Sequence, residues 1–256
     1  MSAVFSYPAA AETLKEAKTV QDIAFPAGTE IEYYGSGKLA SAELAQAQKI
    51  GGISFAKGTR VLFYESGTVR IAVLREENNI QGIPCIGEAH FYESGKLMDA
   101  VLARDKEIQK ISFAGGTRIR LLESGKLQGG PLAQDTKIQN MDLVKGTEVY
   151  FGDSGKAAVI YLAKDTDIQG IPVKAGMTLF HDSGRLKTAV ISRDTEIQGM
   201  TLPKDSQVTF FPSGKVQQVA LSRETEVQGR RCAAGKQVSF WEDGTLVVDP
   251  YENRTK

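Results

Sequence analysis

The sequence predicts an all-β fold: an elongated, solenoid-like array of eight repeats built on β-hairpins. Three observations carry that expectation. First, one glycine turn keeps returning: "YYGSGK" near the start, "FYESGT" at 63–68 and "FYESGK" at 91–96, then "LLESGK", "FGDSGK", "FHDSGR", "FFPSGK" and "FWEDGT". Its glycines are Gly37, Gly67, Gly95, Gly125, Gly155, Gly184, Gly214 and Gly244, spaced 30, 28, 30, 30, 29, 30 and 30 residues apart. Second, "IQGI" and its variants keep the same beat, beginning at Val20, Ile50, Ile80, Ile108, Ile138, Ile168, Ile197 and Val227. Third, β-branched and aromatic residues alternate beside the turns, which is a strand signal, and no window offers a sustained helical face.

These markers divide the chain into an N-terminal segment, 1–19, and one repeat domain, 20–256. Its repeats are 20–49, 50–79, 80–107, 108–137, 138–167, 168–196, 197–226 and 227–256. The N-terminal segment ends in part of a strand around Leu14, and the chain closes on a polar "YENRTK" that suits a cap.

Each repeat reads as three short segments. In the first, apolar residues sit at offsets zero, three and five, as in Ile50, Ile53 and Phe55. In the second they alternate up to the turn, as in Val61 and Phe63 or Val208 and Phe210. In the third they follow the turn glycine at two, five and seven, as in Leu97, Ala100 and Leu102. A step of three inside a period of two predicts a β-bulge. The tip suits a type I turn followed by a left-handed glycine, the three-residue hairpin loop. Glycine is required there because a Cβ strains a positive φ. Pro26, Pro84, Pro172 and Pro203 mark bends or edges, since proline donates nothing to a ladder.

Parity limits the assembly. Three antiparallel segments per repeat would reverse the chain direction from one repeat to the next. Either each repeat is a two-stranded hairpin with one long bent strand, or the segments are the faces of a three-faced parallel β-helix.

At "FYESGKL" the chain resembles the bacterial MORN-repeat-like, YwqK-type repeat proteins. Phe91, Tyr92, Gly95, Lys96 and Leu97 carry the likeness, and Gly82, Gly170 or Gly199 supplies a later glycine. Those repeats are shorter and carry Asn where this chain has Ser. The resemblance implies an extended β array used for interaction and offers no catalytic residue to carry over.

Composition narrows the function. Lys plus Arg equals Asp plus Glu at 31 each, which argues against a nucleic-acid binder. No stretch approaches the roughly 18 apolar residues of a membrane span. The first twenty residues lack the basic start and the long apolar run of a signal peptide. A cytoplasmic protein and the mature part of an exported one both fit.

The most suggestive column follows the inward aromatic: Tyr34, Tyr64, Tyr92, Leu122, Gly152, His181, Phe211 and Trp241. Alternation turns it away from the core, where an aromatic stripe suits a protein partner, or else a glycan or lipid. Cross-strand packing over the hairpin tips is the plainer use. Acidic residues such as Glu65 and Glu93 precede the turns and basic ones such as Lys96 and Arg185 follow them, reading as a solvated edge. Gln21, Gln81, Gln109, Gln139, Gln169, Gln198 and Gln228 form a column of amides that can bond one another. Asp105, Asp135, Asp165 and Asp194 read as turn caps. Two histidines, His90 and His181, are too few for a zinc site. Cys85 and Cys232 occupy equivalent positions and read as core residues. No catalytic constellation, metal site or cofactor motif emerges, and the expected function is a non-enzymatic scaffold that binds another protein. The alternative is an exported envelope protein that binds a glycan or lipid.

Overall fold

The structure, a computed structural model, describes residues 10–247. Over these residues the chain is all-β, with thirty strands and no helix. Sixteen of the strands belong to a long antiparallel sheet, and the other fourteen form seven small two-stranded sheets. All strand pairings described are antiparallel, so the parallel β-helix expectation finds no parallel pair among the described residues.

The "IQGI" marker is not one segment but a complete hairpin. Ile168 pairs with Ile171 and Thr166 with Val173, leaving two residues, Gln169 and Gly170, in the turn. Both have positive φ, 55° and 81°. A two-residue turn with two positive φ values is type I′, whose twist matches that of the flanking strands. The same pair of positive angles recurs in all eight repeats. This corrects the three-segment reading. A repeat holds four strands, two in the small hairpin and two in the long sheet, and an even number restores the chain direction without a parallel coil.

The long-sheet strands meet at the glycine tips. In the third repeat the Tyr92 N–H donates to the Lys96 carbonyl and the Gly95 N–H to the Tyr92 carbonyl, each at 2.8 Å. Gly95 has φ of 80°. The predicted bulge lies beside the tip: register shifts between Leu62 and Phe63, His90 and Phe91, and Thr209 and Phe210. The strand expected around Leu14 is Ala10–Thr13, paired with Glu30–Tyr33. The polar "YENRTK" lies outside the described residues.

The chain forms two compact units, Met1–Gly130 and Pro131–Lys256. The first carries nine long-sheet strands, ending with Leu127–Pro131, and the second carries seven, from Glu148–Phe151 to Gln237–Ser239. In each, one face of the sheet is buried together with the small hairpins. Ile31, Ala42, Val61, Ala72, Ala89, Ala100 and Ile119 are inaccessible in the first unit, as are Val149, Ile160 and Val208 in the second. Phe25, Phe55, Phe113, Leu143, Val173 and Leu202 are the matching buried residues of the hairpins.

Residue sizes compensate across the two layers in five repeats, while the third and sixth set small residues together, Cys85 with Ala100 and Val173 with Ala189. In the first, second and fourth repeats a hairpin Phe accompanies a small sheet residue: Phe25 with Ala42, Phe55 with Ala72, Phe113 with Gly130. In the fifth and seventh the hairpin residue is smaller and the sheet residue larger: Leu143 with Ile160, Leu202 with Val219. At Gly130 the reason is visible. A Cβ there would lie 3.0 Å from Ile119 Cγ2 and 3.3 Å from the Phe113 ring. Cys85 and Cys232 occupy the hairpin Phe position, buried and unpaired. Burial pushes the Cys85 thiol up to about 12.

The third repeat is shorter for a structural reason. Its loop between hairpin and sheet is missing, so Val69–Ile80 and Ile83–Phe91 run as one long hairpin with a register shift between Cys85 and Gly87. Phe55 and Phe63 are eight residues apart, whereas Cys85 and Phe91 are six apart, which accounts for the spacing of 28.

Because Gly130 does not need a positive φ, its constraint is one of space. Gly130→Ala should cost about 1–3 kcal/mol by overpacking. Adding Phe113→Leu should recover part of that loss in a denaturant-unfolding double-mutant cycle. Additive losses would mean that the two layers do not meet at this point.

Candidate functional site

The repeated polar columns of the sequence are largely committed to holding the repeats. The glutamines show this best. Each sits first in its I′ turn with φ between 48° and 55°, a left-handed conformation that costs a side-chain-bearing residue about 1–2 kcal/mol. From there the amides of Gln21, Gln81, Gln109, Gln169, Gln198 and Gln228 reach a tip of the long-sheet hairpins. Gln198 Nε2 donates to the Gly214 carbonyl at 2.9 Å, and its Oε1 accepts the Val216 N–H at 3.0 Å. Gln81, Gln169 and Gln228 make the same pair of bonds to Gly95 and Leu97, Gly184 and Leu186, and Gly244 and Leu246. Gln109 donates to the Gly125 carbonyl at 3.4 Å. Gln21 accepts from the Leu39 N–H of its own repeat but donates to the Glu65 carbonyl of the next. These amides bond turn backbone instead of one another, because the bulged tip leaves a carbonyl and an N–H without ladder partners. The second repeat has Gly51 at this position.

The aromatic column ties one repeat to the next. The hydroxyls of Tyr34, Tyr64 and Tyr92 donate to the carbonyls of Phe63, Phe91 and Leu121, at 2.5, 2.8 and 3.0 Å. His181 Nε2 lies 2.9 Å from the Phe210 carbonyl, the equivalent contact. Burial is the main reason that the Tyr64 phenol is pushed above its ordinary pKa. Tyr34, Tyr64, Tyr92, Leu122, Gly152, His181 and Phe211 are all half-buried. Only Trp241 stands clear of the protein, 62% exposed.

The remaining columns are similar. Asp105, Asp135, Asp165 and Asp194 each accept, through Oδ1, the backbone N–H ten residues on, at 2.8–2.9 Å. At the tips the cation of one repeat reaches the next: Lys156 Nζ donates to the Ser183 carbonyl at 2.8 Å, and Arg185 donates to the Ser213 carbonyl. Among the described residues no group of three or more His, Cys, Asp or Glu side chains is placed to hold a metal ion. No helix of the described residues is long and apolar enough to cross a membrane.

What the columns leave open is the outward face of the long sheet, and the two units dress it differently. In the first unit it is charged. Glu32 accepts from Ser41 at 2.7 Å and from Arg60 at 2.9 Å, and Arg75 pairs with Glu43 at 2.7 Å. Farther along, His90 lies 3.4 Å from both Glu88 and Asp99, and Arg118 pairs with the same two carboxylates.

In the second unit the outward face carries less charge: half-buried Glu148 stands in register with Tyr161, and exposed Lys187 lies in the strand Leu186–Val190. One cross-strand row runs Tyr150, Val159, Leu179, Thr188, Thr209, Gln218, Ser239. The other holds Tyr161 opposite Met177, and Val190, Gln207, Ala220 and Gln237 in register. From Ala157–Leu162 onward neither row has an ionisable carboxylate, amine or guanidinium. Tyr161 and Met177 are 43% and 55% exposed, and the Tyr161 ring meets Tyr150 edge-on at 6.2 Å. Sequence reasoning followed the columns that repeat and passed over this face. The signal that would have found it is the scarcity of charge at outward positions in the second half.

No protein-family model matches the chain, and no curated protein matches it significantly.

Two substitutions separate the hydrogen bonds of a glutamine from its backbone strain. Gln198→Ala keeps the left-handed residue and loses both bonds, and should destabilise by about 1–3 kcal/mol. Gln198→Gly loses the same bonds but sheds about 1 kcal/mol of strain, so its unfolding midpoint should fall between alanine and wild type. Equal midpoints for all three proteins would show that the amide holds nothing.

Proposed function

We propose that this chain is a non-enzymatic scaffold, a solenoid-like array of eight hairpin repeats, that binds another protein through the outward face of its long sheet. One observation carries the reading: the second unit leaves Tyr161 and Met177 exposed opposite each other on neighbouring strands of the sheet. Interface centres are depleted of charge and enriched in Tyr and Met. Exposed apolar patches on a folded surface mark interaction sites more often than they are incidental. The likeness to MORN-repeat-like arrays points to the same use. The aromatic column contributes mainly through Trp241, because its tyrosine hydroxyls are already engaged.

A glycan or lipid partner is the second reading, and exposed Trp241 at the last tip favours it. A single aromatic offers one stacking surface, whereas the sheet face offers several neighbouring side chains.

A photo-crosslinking residue placed at Met177 tests the choice. It should yield protein adducts in cells, and the same residue at Val73, on the charged first unit, should not. Adducts at Met177 sensitive to periodate or lipid extraction but not to protease would overturn the protein reading.

A further inference from the structure

Two neighbouring small hairpins of the second unit are held in opposite ways. The sixth, Thr166–Ile168 with Ile171–Val173, is joined to the long sheet through its backbone. Val173 pairs with Ile191, the Ser192 N–H donates to the Pro172 carbonyl at 2.9 Å, and the Lys174 N–H donates to the Val190 carbonyl at 2.8 Å. The small residues Val173 and Ala189 leave room for the two layers to come that close. Two strands alone are marginal in water, and pairing with a third secures them. The turn is held as well. Gln169 makes both of its bonds to the tip, and Asp167 Oδ1 accepts the Gly170 N–H at 2.9 Å.

The fifth hairpin, Thr136–Ile138 with Met141–Leu143, has neither hold. Among the described residues its strands pair only with each other. The larger Leu143 and Ile160 fill the space between the layers instead. The Gln139 amide makes no hydrogen bond among the described residues. Lys137 stands where the sixth hairpin has Asp167, and an ammonium cannot accept an N–H. Yet Gln139 and Asn140 both have positive φ, 50° and 66°, and neither is glycine. Strain that no bond compensates favours any motion that releases it. The base of the hairpin, by contrast, is fixed. The Leu132 N–H donates to the Thr147 carbonyl and the Gly146 N–H to the Leu132 carbonyl, each at 2.9 Å.

We infer that the fifth small hairpin is a hinged flap, which opens from the second unit while the sixth stays closed. Its hinge is the bonded base at Leu132, Gly146 and Thr147, and its strained turn has no clasp. Opening draws the buried side chains of Ile138, Met141 and Leu143 out of the core, so the open form is a minor state of the native protein.

Native-state hydrogen exchange on the full chain, read hairpin by hairpin, tests this. Protection over residues 136–143 should be at least about tenfold lower than over residues 166–173. The difference should persist at low denaturant concentration, because a flap exposes little surface when it opens. Two glycine substitutions then give opposite results. Gln139→Gly releases strain and loses no bond, so exchange of the fifth hairpin should slow by roughly two- to fivefold. Gln169→Gly loses two bonds, so exchange of the sixth should quicken by roughly fivefold. Gln139 and Gln169 are exposed, so far-UV circular dichroism of both variants should match wild type. The wild-type comparison decides alone should a variant not fold. Equal protection in the two wild-type hairpins, or exchange in Gln139→Gly no slower than in wild type, overturns the inference.

Discussion

In six of the eight repeats a glutamine amide grips the long-sheet hairpin from a left-handed backbone. The I′ turn of the small hairpin needs two consecutive positive φ values, which residues other than glycine adopt at a cost. Gln21, Gln81, Gln169, Gln198 and Gln228 accept that cost and, from there, reach the bulged tip of the long-sheet hairpin. An intramolecular hydrogen bond contributes about 1 kcal/mol net, so two of them offset strain of about 1–2 kcal/mol. Gly51 fits the same balance. In the second repeat Gly51 takes the turn position, and glycine needs no compensation there.

From that grip the rest of the architecture follows. The amide joins the small hairpin to the tip of the long-sheet hairpin within a repeat. The hydroxyls of Tyr34, Tyr64 and Tyr92 then join successive repeats, and His181 does the same in the second unit. In the apolar layer between sheet and hairpins Phe113 fills the space that Gly130 leaves. Structural duty absorbs the residues that recur most faithfully. Positions of the outward face differ between repeats, and charge is denser there in the first unit than in the second.

Much of this was legible in the sequence, and what was not has physical reasons. The all-β class, the left-handed tip glycines, the bulge beside them, the strand near Leu14 and the core positions of Cys85 and Cys232 follow from local patterns: glycine placement and the phase of apolar residues. The small hairpin did not follow, because Gln-Gly is not one of the familiar I′ pairs. Gln169 at φ 55° is explained only by a bond to Gly184, fifteen residues away. Likewise nothing local tells that the Tyr64 hydroxyl ends on the Phe91 carbonyl, twenty-seven residues on. The outward face that exposes Tyr161 and Met177 is written in alternate residues of separate strands, and it becomes a surface only when their register is known.

Native-state hydrogen exchange on Gln198→Ala tests the grip most directly. If the amide couples the two layers, protection should fall by about ten- to a hundredfold at the Val216 N–H and through the hairpin Thr195–Ile197 and Met200–Leu202. The long-sheet strands Gln207–Phe210 and Val216–Ala220 should keep their remaining protection. A hairpin that exchanges as slowly in the variant as in the wild type would contradict the account.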